Sequence, residues 1–350
     1  MPVTLTALSD LATLDFDEII DVRSPAEWEE DHIPGAISLP ALDNEERARV
    51  GTIYTQDSPF RARKIGAALV ARNAARHLEG PLAEKPGGWK PLVYCWRGGQ
   101  RSGSFASILA QIGWRVDTIK GGYKAYRSLV VQAVHEAPVP SRVVLLDGNT
   151  GSAKTELLHL LAARGVQVID LEGLANHRGS LFGHRAGGQP AQKAFESRLA
   201  AALLRLDPAR PVVVEAESSK VGDVSLPPPL WKAMRAAPRL SVAAPLAARA
   251  RYLARAYADL TADPDEIARV IDLLRPHHPA ERIEHWQGLA ATGRFEPLAA
   301  GLMEHHYDPR YAKQRARTAT EGSEVFSTPD LTPETLAPLA DRLAERIAGF

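Results

Sequence analysis

Twice in this chain an apolar run stops at a glycine-bearing turn that opens onto a helix, and this arrangement constrains the fold more than any other feature. PLVYC, residues 91–95, precedes WRGGQRS, and RVVLLD, residues 142–147, precedes GNTGSAKT. In both, glycine lets successive backbone N–H groups turn toward one centre while the helix N-terminus adds positive potential, which makes a cradle for a tetrahedral anion. A strand followed at once by a helix is the start of a βα unit, so the predicted class is α/β with parallel sheets. Further strands are predicted at 17–22 (DEIIDV), 115–119 (RVDTI), Val166–Asp170 and Pro211–Glu215, and a helix at Glu156–Arg164. The stretch 136–142 (EAPVPSR) carries two prolines and no apolar period and reads as a linker. Beyond about residue 243, Ala, Leu and Arg recur at helical spacing, and 331–348 is predicted as another helix. The expected organisation is 1–137 with an insertion at about 43–90, then 138–242, then a mainly helical 243–350.

Composition excludes little. With 350 residues, 45% of them apolar, the chain can bury a substantial core, and disorder is not expected. Lys and Arg number 42 and so do Asp and Glu, so a polyanionic partner has to be met by local basic patches. No basic start leads into an apolar stretch and no eighteen uncharged apolar residues run together, which predicts no membrane segment and a cytoplasmic protein.

The chain has one cysteine, Cys95, which rules out an internal disulfide or a cysteine-based zinc site and leaves a buried filler or a reactive thiol. Its position at a strand end, before Gly98 and Gly99 and with Arg97 and Arg101 close by, favours a thiolate. In the second loop Gly148, Asn149, Thr150, Gly151, Ser152, Lys154 and Thr155 have the order of a Walker A phosphate-binding turn, with Ala153 where a second glycine is expected. Glu215 or Glu217, at the end of the strand Val212-Val213-Val214, is either a partner for Mg2+ or an exposed salt-bridging carboxylate. Asn176, His177 and Arg178 form a polar cluster in a predicted loop, although a lone histidine is more commonly structural.

DVRSPAEWEEDHIPGA (Asp21–Ala36) and GGYKAYR (Gly121–Arg127), in matching order around Cys95, resemble the flanking signatures of rhodanese domains. Ordinary sulfurtransferases of that fold place the loop arginine one residue earlier than Arg101. The longer loop resembles that of rhodanese-fold phosphatases and implies a phosphate-like anion. Together with RVGTIY (Arg49–Tyr54), KIGAALVARN (Lys64–Asn73), ANHRGSLFG (Ala175–Gly183), QPAQKAFES (Gln189–Ser197), VVVEAES (Val212–Ser218) and HYDPRY (His306–Tyr311), the chain resembles the bacterial tRNA 2-selenouridine synthases along nearly its whole length.

That resemblance implies a rhodanese-like parallel-sheet domain followed by a P-loop NTPase-like α/β domain with a helical C-terminal region. It implies S-geranylation of 2-thiouridine at the wobble position of tRNA by geranyl diphosphate, then replacement of the geranylthio group by selenium from selenophosphate. Cys95 would carry the selenium as S-selanylcysteine, with Arg97 and Arg101 holding the anion. The loop Gly148–Thr155 would bind pyrophosphate, and Asn176, His177, Arg178 and Glu215 are candidate substrate or tRNA contacts. No tightly bound cofactor is expected, Mg2+ is compatible with the loop, and the implied partners are tRNA and an enzyme that supplies selenophosphate.

Basic runs at Arg61, Arg63, Lys64, Arg72 and Arg76, and at Arg310, Lys313, Arg315 and Arg317, are candidate tRNA contacts or merely solvated helix faces. Segment 41–90 holds nine Lys and Arg against six Asp and Glu, a net of +3, too small to establish nucleic-acid binding. Trp89, Trp96 and Tyr54 are candidate stacking partners for unpaired bases, with core packing the commoner use of any one aromatic. Two rival readings remain: a persulfide sulfurtransferase with an ATP-binding domain, and a binding module in which both loops have lost their chemistry. The presence of Cys95 and Lys154 argues against the second.

Overall fold

The strands Pro91–Tyr94 and Val143–Gly148 are buried at every position. This is what parallel sheets covered by helices on both faces require, and it explains why these strands read as continuous apolar runs without alternation. The computed structural model describes residues 2–261, 263–315 and 323–350. It contains two compact units: Met1–Pro138 with Pro190–Arg205, and Val139–Gln189 with Leu206–Phe350.

In the first unit, β1 (Glu18–Asp21), β2 (Ile37–Ser38), β3 (Pro91–Tyr94) and β4 (Asp117–Thr118) form a parallel sheet in the order β2-β1-β3-β4. Its core gathers Ile20, Val22, Val93, Phe105 and Leu109 around Trp89 and Trp114, whose rings meet edge to face with centroids 5.0 Å apart. Trp89 is therefore a core residue and not a stacking platform, and burying such a ring contributes roughly 1.5–3 kcal/mol. Trp96 is half-buried, with its ring centroid 5.3 Å from that of Tyr123. Between β2 and β3 the inserted segment forms two packed helices, Asn44–Gln56 and Pro59–Glu79. Asp43 and Glu46 start the first with a capping box, and Ser58 caps the second, whose first residue is Pro59. The buried Asn73 amide ties the pair down by donating to the Ala41 carbonyl at 3.1 Å and to Glu46 at 2.7 Å.

The helix Gln192–Leu204 also belongs to this first unit, although it follows the second loop in the chain and falls within the expected segment 138–242. The physical reason is polar as well as apolar: Phe195 is fully buried, the Ser197 hydroxyl donates to Asp31 at 2.7 Å, and Glu196 pairs with Arg127.

In the second unit, β5 (Val143–Gly148), β6 (Gln167–Ile169), β7 (Val212–Glu215), β10 (Arg239–Ala243) and β11 (Glu324–Ser327) form a parallel sheet in the order β11-β10-β5-β7-β6. A short hairpin of β8 (Lys220–Val221) and β9 (Val224–Ser225) stands apart. Sequence periodicity gives no strand at β10 or β11. The segment expected to be mainly helical therefore also supplies the edge strand β11, covered by the helix Pro333–Ala348 with Leu336, Leu339, Leu343 and Ile347 buried. Among the described residues no helix is long and apolar enough to cross a membrane.

Candidate active site

Each unit presents one of the two glycine-bearing loops at the carboxyl end of a central strand, the edge at which open parallel sheets bind ligands. In the first unit Cys95 follows β3 and is only 4% exposed. Its Sγ lies 3.2 Å from the Ser102 hydroxyl and accepts the Gly99 N–H at 3.3 Å, at the start of the helix Gln100–Gln111. The loop is held from behind by backbone bonds from Tyr123 N–H to the Cys95 carbonyl (2.8 Å) and from Lys124 N–H to that of Trp96 (3.0 Å). That approach demands Gly122: its φ is +57°, and a Cβ there would stand 2.2 Å from the Cys95 carbonyl oxygen. The DVR segment supports the floor through the buried pair Asp21 and Arg23, with Tyr94 donating to Asp21 at 2.7 Å.

The two loop arginines differ. Arg97 is exposed. Arg101 turns away into a bidentate pair with Glu27, at 2.6 and 3.0 Å, and Glu27 also accepts the Ser24 N–H in the capping box that begins the helix Pro25–Glu30. Burial alone would push the Glu27 carboxyl up, but the hydrogen bonds and charge of Arg101 hold it down to about 2. The anion-holding role expected for Arg101 is thus matched here by a carboxylate already seated on its guanidinium.

In the second unit the loop Gly148–Thr155 runs from β5 into the helix Lys154–Ala163. Ala153 has φ 59° and ψ 28°, so the position that lacks the expected glycine still takes the left-handed conformation a glycine favours, at a cost of about 1–2 kcal/mol. Lys154 Nζ donates to the Gly148 carbonyl at 3.0 Å, curling over the loop. Burial disfavours its charge, but Tyr311 and the carboxylates of Glu217, Glu172 and Glu215 raise its pKa above the ordinary value. Thr155 donates its hydroxyl to Glu172 at 3.1 Å. Arg249, buried on the helix Leu246–Ala256, donates to the Thr150 carbonyl at 3.1 Å and forms a bidentate pair with Asp308 at 3.0 and 2.7 Å. Asp308 lies in the HYDPRY segment, which thereby acts on the loop through Arg249.

Sequence order separates the Asn-His-Arg cluster into different tasks. Asn176 donates to the Ala186 and Gly188 carbonyls at 2.9 and 2.8 Å, closing its own loop. His177 is buried, its Nδ1 accepts the Gly179 N–H at 3.1 Å, and burial followed by the neighbouring His184 lowers its pKa, so it sits there neutral as a structural group. Only Arg178 reaches the cavity over the phosphate loop, where Arg185, Glu172, Glu217 and Tyr311 join it. That cavity, about 890 Å3 including its open mouth, shares Thr150, Ser180, Leu253 and Tyr257 with a neighbouring pocket of about 520 Å3. The second pocket is walled by apolar side chains, among them Phe182, Leu260, Ile267, Phe295, Leu298 and Leu302.

Glu215 is fully buried and not an exposed salt-bridging carboxylate. Its burial, and then the charges of Glu172, Asp170 and Glu217, push its carboxyl well above the usual range. Glu217 is pushed up to about 8 by burial and by Glu172. Glu172, Arg185 and Arg249 escape motif reading because they come from three separate segments, although Glu172 stands two residues after the acidic residue that ends the predicted strand Val166–Asp170, while Tyr311 closes the HYDPRY motif. Of the basic candidates, Arg61 pairs with Asp57 at 2.6 Å, and Arg317 lies outside the described residues. Tyr54 is 54% exposed beside a groove that Arg63 and Arg101 also line.

Residues 4–129 match the rhodanese-like domain and residues 141–269 match the tRNA 2-selenouridine synthase AAA domain. Among curated relatives, the tRNA 2-selenouridine synthase of Pseudomonas syringae pv. tomato is 34% identical over 345 residues, spanning 89% of this chain and 92% of its own length. The enzyme of the same name from Pseudomonas syringae pv. syringae is 33% identical over 97% of this chain and 99% of its own length, and that of Hahella chejuensis is 34% identical over 86% of each. The chain belongs to the tRNA 2-selenouridine synthase family.

Proposed function

We propose that the chain is a tRNA-modifying transferase that makes 2-selenouridine from 2-thiouridine at the wobble position in two stages: S-geranylation by geranyl diphosphate, then exchange of the geranylthio group for selenium from selenophosphate. The observation that carries this reading is the pairing in one unit of a phosphate loop with an adjoining apolar-lined pocket, since a diphosphate head on a hydrocarbon tail is a ligand whose two ends suit the two linings.

In the first stage the C1–O bond of the prenyl donor breaks and an S–C1 bond to the thiouridine sulfur forms. The diphosphate departs with the electron pair and the N3 proton of the base is lost. Lys154, Arg178 and the loop N–H groups face the place where that negative charge builds. Alkylation also makes chemical sense of the order. A thiocarbonyl sulfur leaves poorly, whereas a geranylthiolate departs from C2 once a selenium nucleophile has added there. Cys95 is the selenium carrier in this account, its sulfur already receiving the Gly99 N–H at a helix N-terminus. The thiolate bonds to the selenium of selenophosphate as the P–Se bond breaks with its electron pair left on phosphorus, and once that selenium has added to C2 an external thiol reduces the S–Se bond.

A persulfide sulfurtransferase with a bound nucleotide would share both loops and differ in its substrates. The test is mass spectrometry of tRNA containing 2-thiouridine after incubation with geranyl diphosphate, with and without selenophosphate, alongside assays of thiosulfate:cyanide transfer and ATP hydrolysis. Geranylated tRNA in the first incubation and selenated tRNA in the second are expected; robust sulfur transfer or ATP turnover with neither tRNA product would replace this reading by the sulfurtransferase one.

A further inference from the structure

Three carboxylates crowd together beside the phosphate loop: one oxygen each of Glu172, Glu215 and Glu217 lies within 4.8 Å of the others. They come from different elements, Glu172 from the helix Leu171–Ala175 after β6, Glu215 from the end of β7, and Glu217 from the residues just past it. Such crowding alone says little. The second observation is that Glu215 is 0% exposed and that neither of its carboxylate oxygens has a hydrogen-bond partner among the described residues. Buried carboxylates are normally paired or hydrogen-bonded, because an uncompensated buried charge is very costly. Here the unpartnered group is aimed at two more carboxylates instead of at a donor.

Beside the cations Lys154, Arg178 and Arg185, the cavity over the phosphate loop also carries Glu172 and Glu217. Lys154 is the cation of the loop itself, and the Arg185 guanidinium nitrogen stays 3.9 Å from Glu172. Glu172 and Glu217 on the wall of a phosphate cradle, with the buried Glu215 close to both, oppose an anionic ligand. A divalent cation among them reverses that sign. The spacing fits, because oxygens sharing a cation about 2.0–2.6 Å away lie no more than about 4–5 Å from one another. The donors are all oxygens, with the Thr155 hydroxyl 3.1 Å from Glu172 as a fourth close at hand, which suits Mg2+ or Mn2+ and not a soft metal.

We infer that Glu172, Glu215 and Glu217 form a divalent-cation site that is complete enough in the protein to load before any diphosphate arrives. The site goes beyond the reading of the substrate, since it is defined by protein oxygens alone. It also differs from the common arrangement in which Mg2+ is brought in on substrate phosphates with one or two protein carboxylates.

The probe is Mn2+ titrated into the full-length protein without diphosphate or tRNA, with free Mn2+ followed by its electron paramagnetic resonance signal and thermal unfolding recorded in parallel. One saturable Mn2+ per chain is expected, displaced by excess Mg2+, with a rise in Tm. Glu215→Gln and Glu172→Gln should each weaken that binding at least tenfold. The metal-free variants should melt no lower than the metal-free wild type, because Gln keeps the size of the side chain, Glu215 has no hydrogen-bond partner to lose and an amide oxygen at position 172 can still accept from Thr155; this opposite response to metal and to mutation is one that a merely structural carboxylate would not give. No saturable binding to the folded wild type, binding that appears only when diphosphate is added, or binding unchanged in both variants would overturn the inference. None of these outcomes depends on whether the tRNA becomes geranylated, so the two readings fail separately.

Discussion

At the scale of single residues the Cys95 loop is held by side-chain pairs within its own unit. Arg101 is fixed by Glu27, and because the folded-state pKa of Glu27 is depressed, its contribution is fully present above the ordinary value of 4.5 and is lost as pH falls from there toward 2. Glu27→Gln should therefore cost about 2 kcal/mol near neutrality, the size of a charge-assisted hydrogen-bonded pair that is partly exposed, and the gap between variant and wild type should close as pH is lowered through that window. Urea denaturation at a series of pH values checks both. Ala153 offers a prediction of the other sign. Its left-handed backbone means that Ala153→Gly should leave stability unchanged or raise it by up to about 1 kcal/mol, although glycine weakens a helix interior. Thermal unfolding with a loss larger than about 1 kcal/mol would show that the buried methyl matters more than the strain.

At the scale of elements, the strand-turn-helix units were legible because a buried parallel strand announces itself by composition. PLVYC and VVLLDG end where they were expected to within a residue, and so does the helix Pro333–Ala348. The strands β10 and β11 were not legible. RLSVA and EVFS are four or five residues long, lack an apolar run, and gain their place by pairing with β5 and with each other. The site shows the same division. Cys95, Lys154 and Thr155 follow from local sequence, whereas the role of Arg249 is invisible until Asp308 and the Thr150 carbonyl are seen on its guanidinium. Arg249→Met should raise the KM for the diphosphate substrate by about tenfold or more while sparing the Cys95 loop, because it frees the phosphate turn and strands a carboxylate. Steady-state geranylation kinetics test this. Gly122→Ala should do the converse, since its Cβ collides with the Cys95 carbonyl in the other unit. Selenation of pre-geranylated tRNA should fall by more than tenfold with geranylation intact.

At the scale of the molecule, each unit holds one glycine-bearing strand-turn-helix loop, and the proposed reaction is divided between the two. The crossing of the helix Gln192–Leu204 into the first unit could not be read from chain order, because Arg127, Asp31 and Glu30, the groups that receive it, stand 69, 166 and 163 residues before their partners. The division itself is open to one direct measurement, mass spectrometry of 2-thiouridine tRNA treated with the Lys154→Ala and Cys95→Ser proteins in the presence of geranyl diphosphate and selenophosphate. The account predicts that Lys154→Ala loses geranylation, by on the order of a hundredfold for a group that stabilises developing charge, and that Cys95→Ser accumulates geranylated tRNA without selenium. Selenation at the wild-type rate by Cys95→Ser, or geranylation at the wild-type rate by Lys154→Ala, would contradict it.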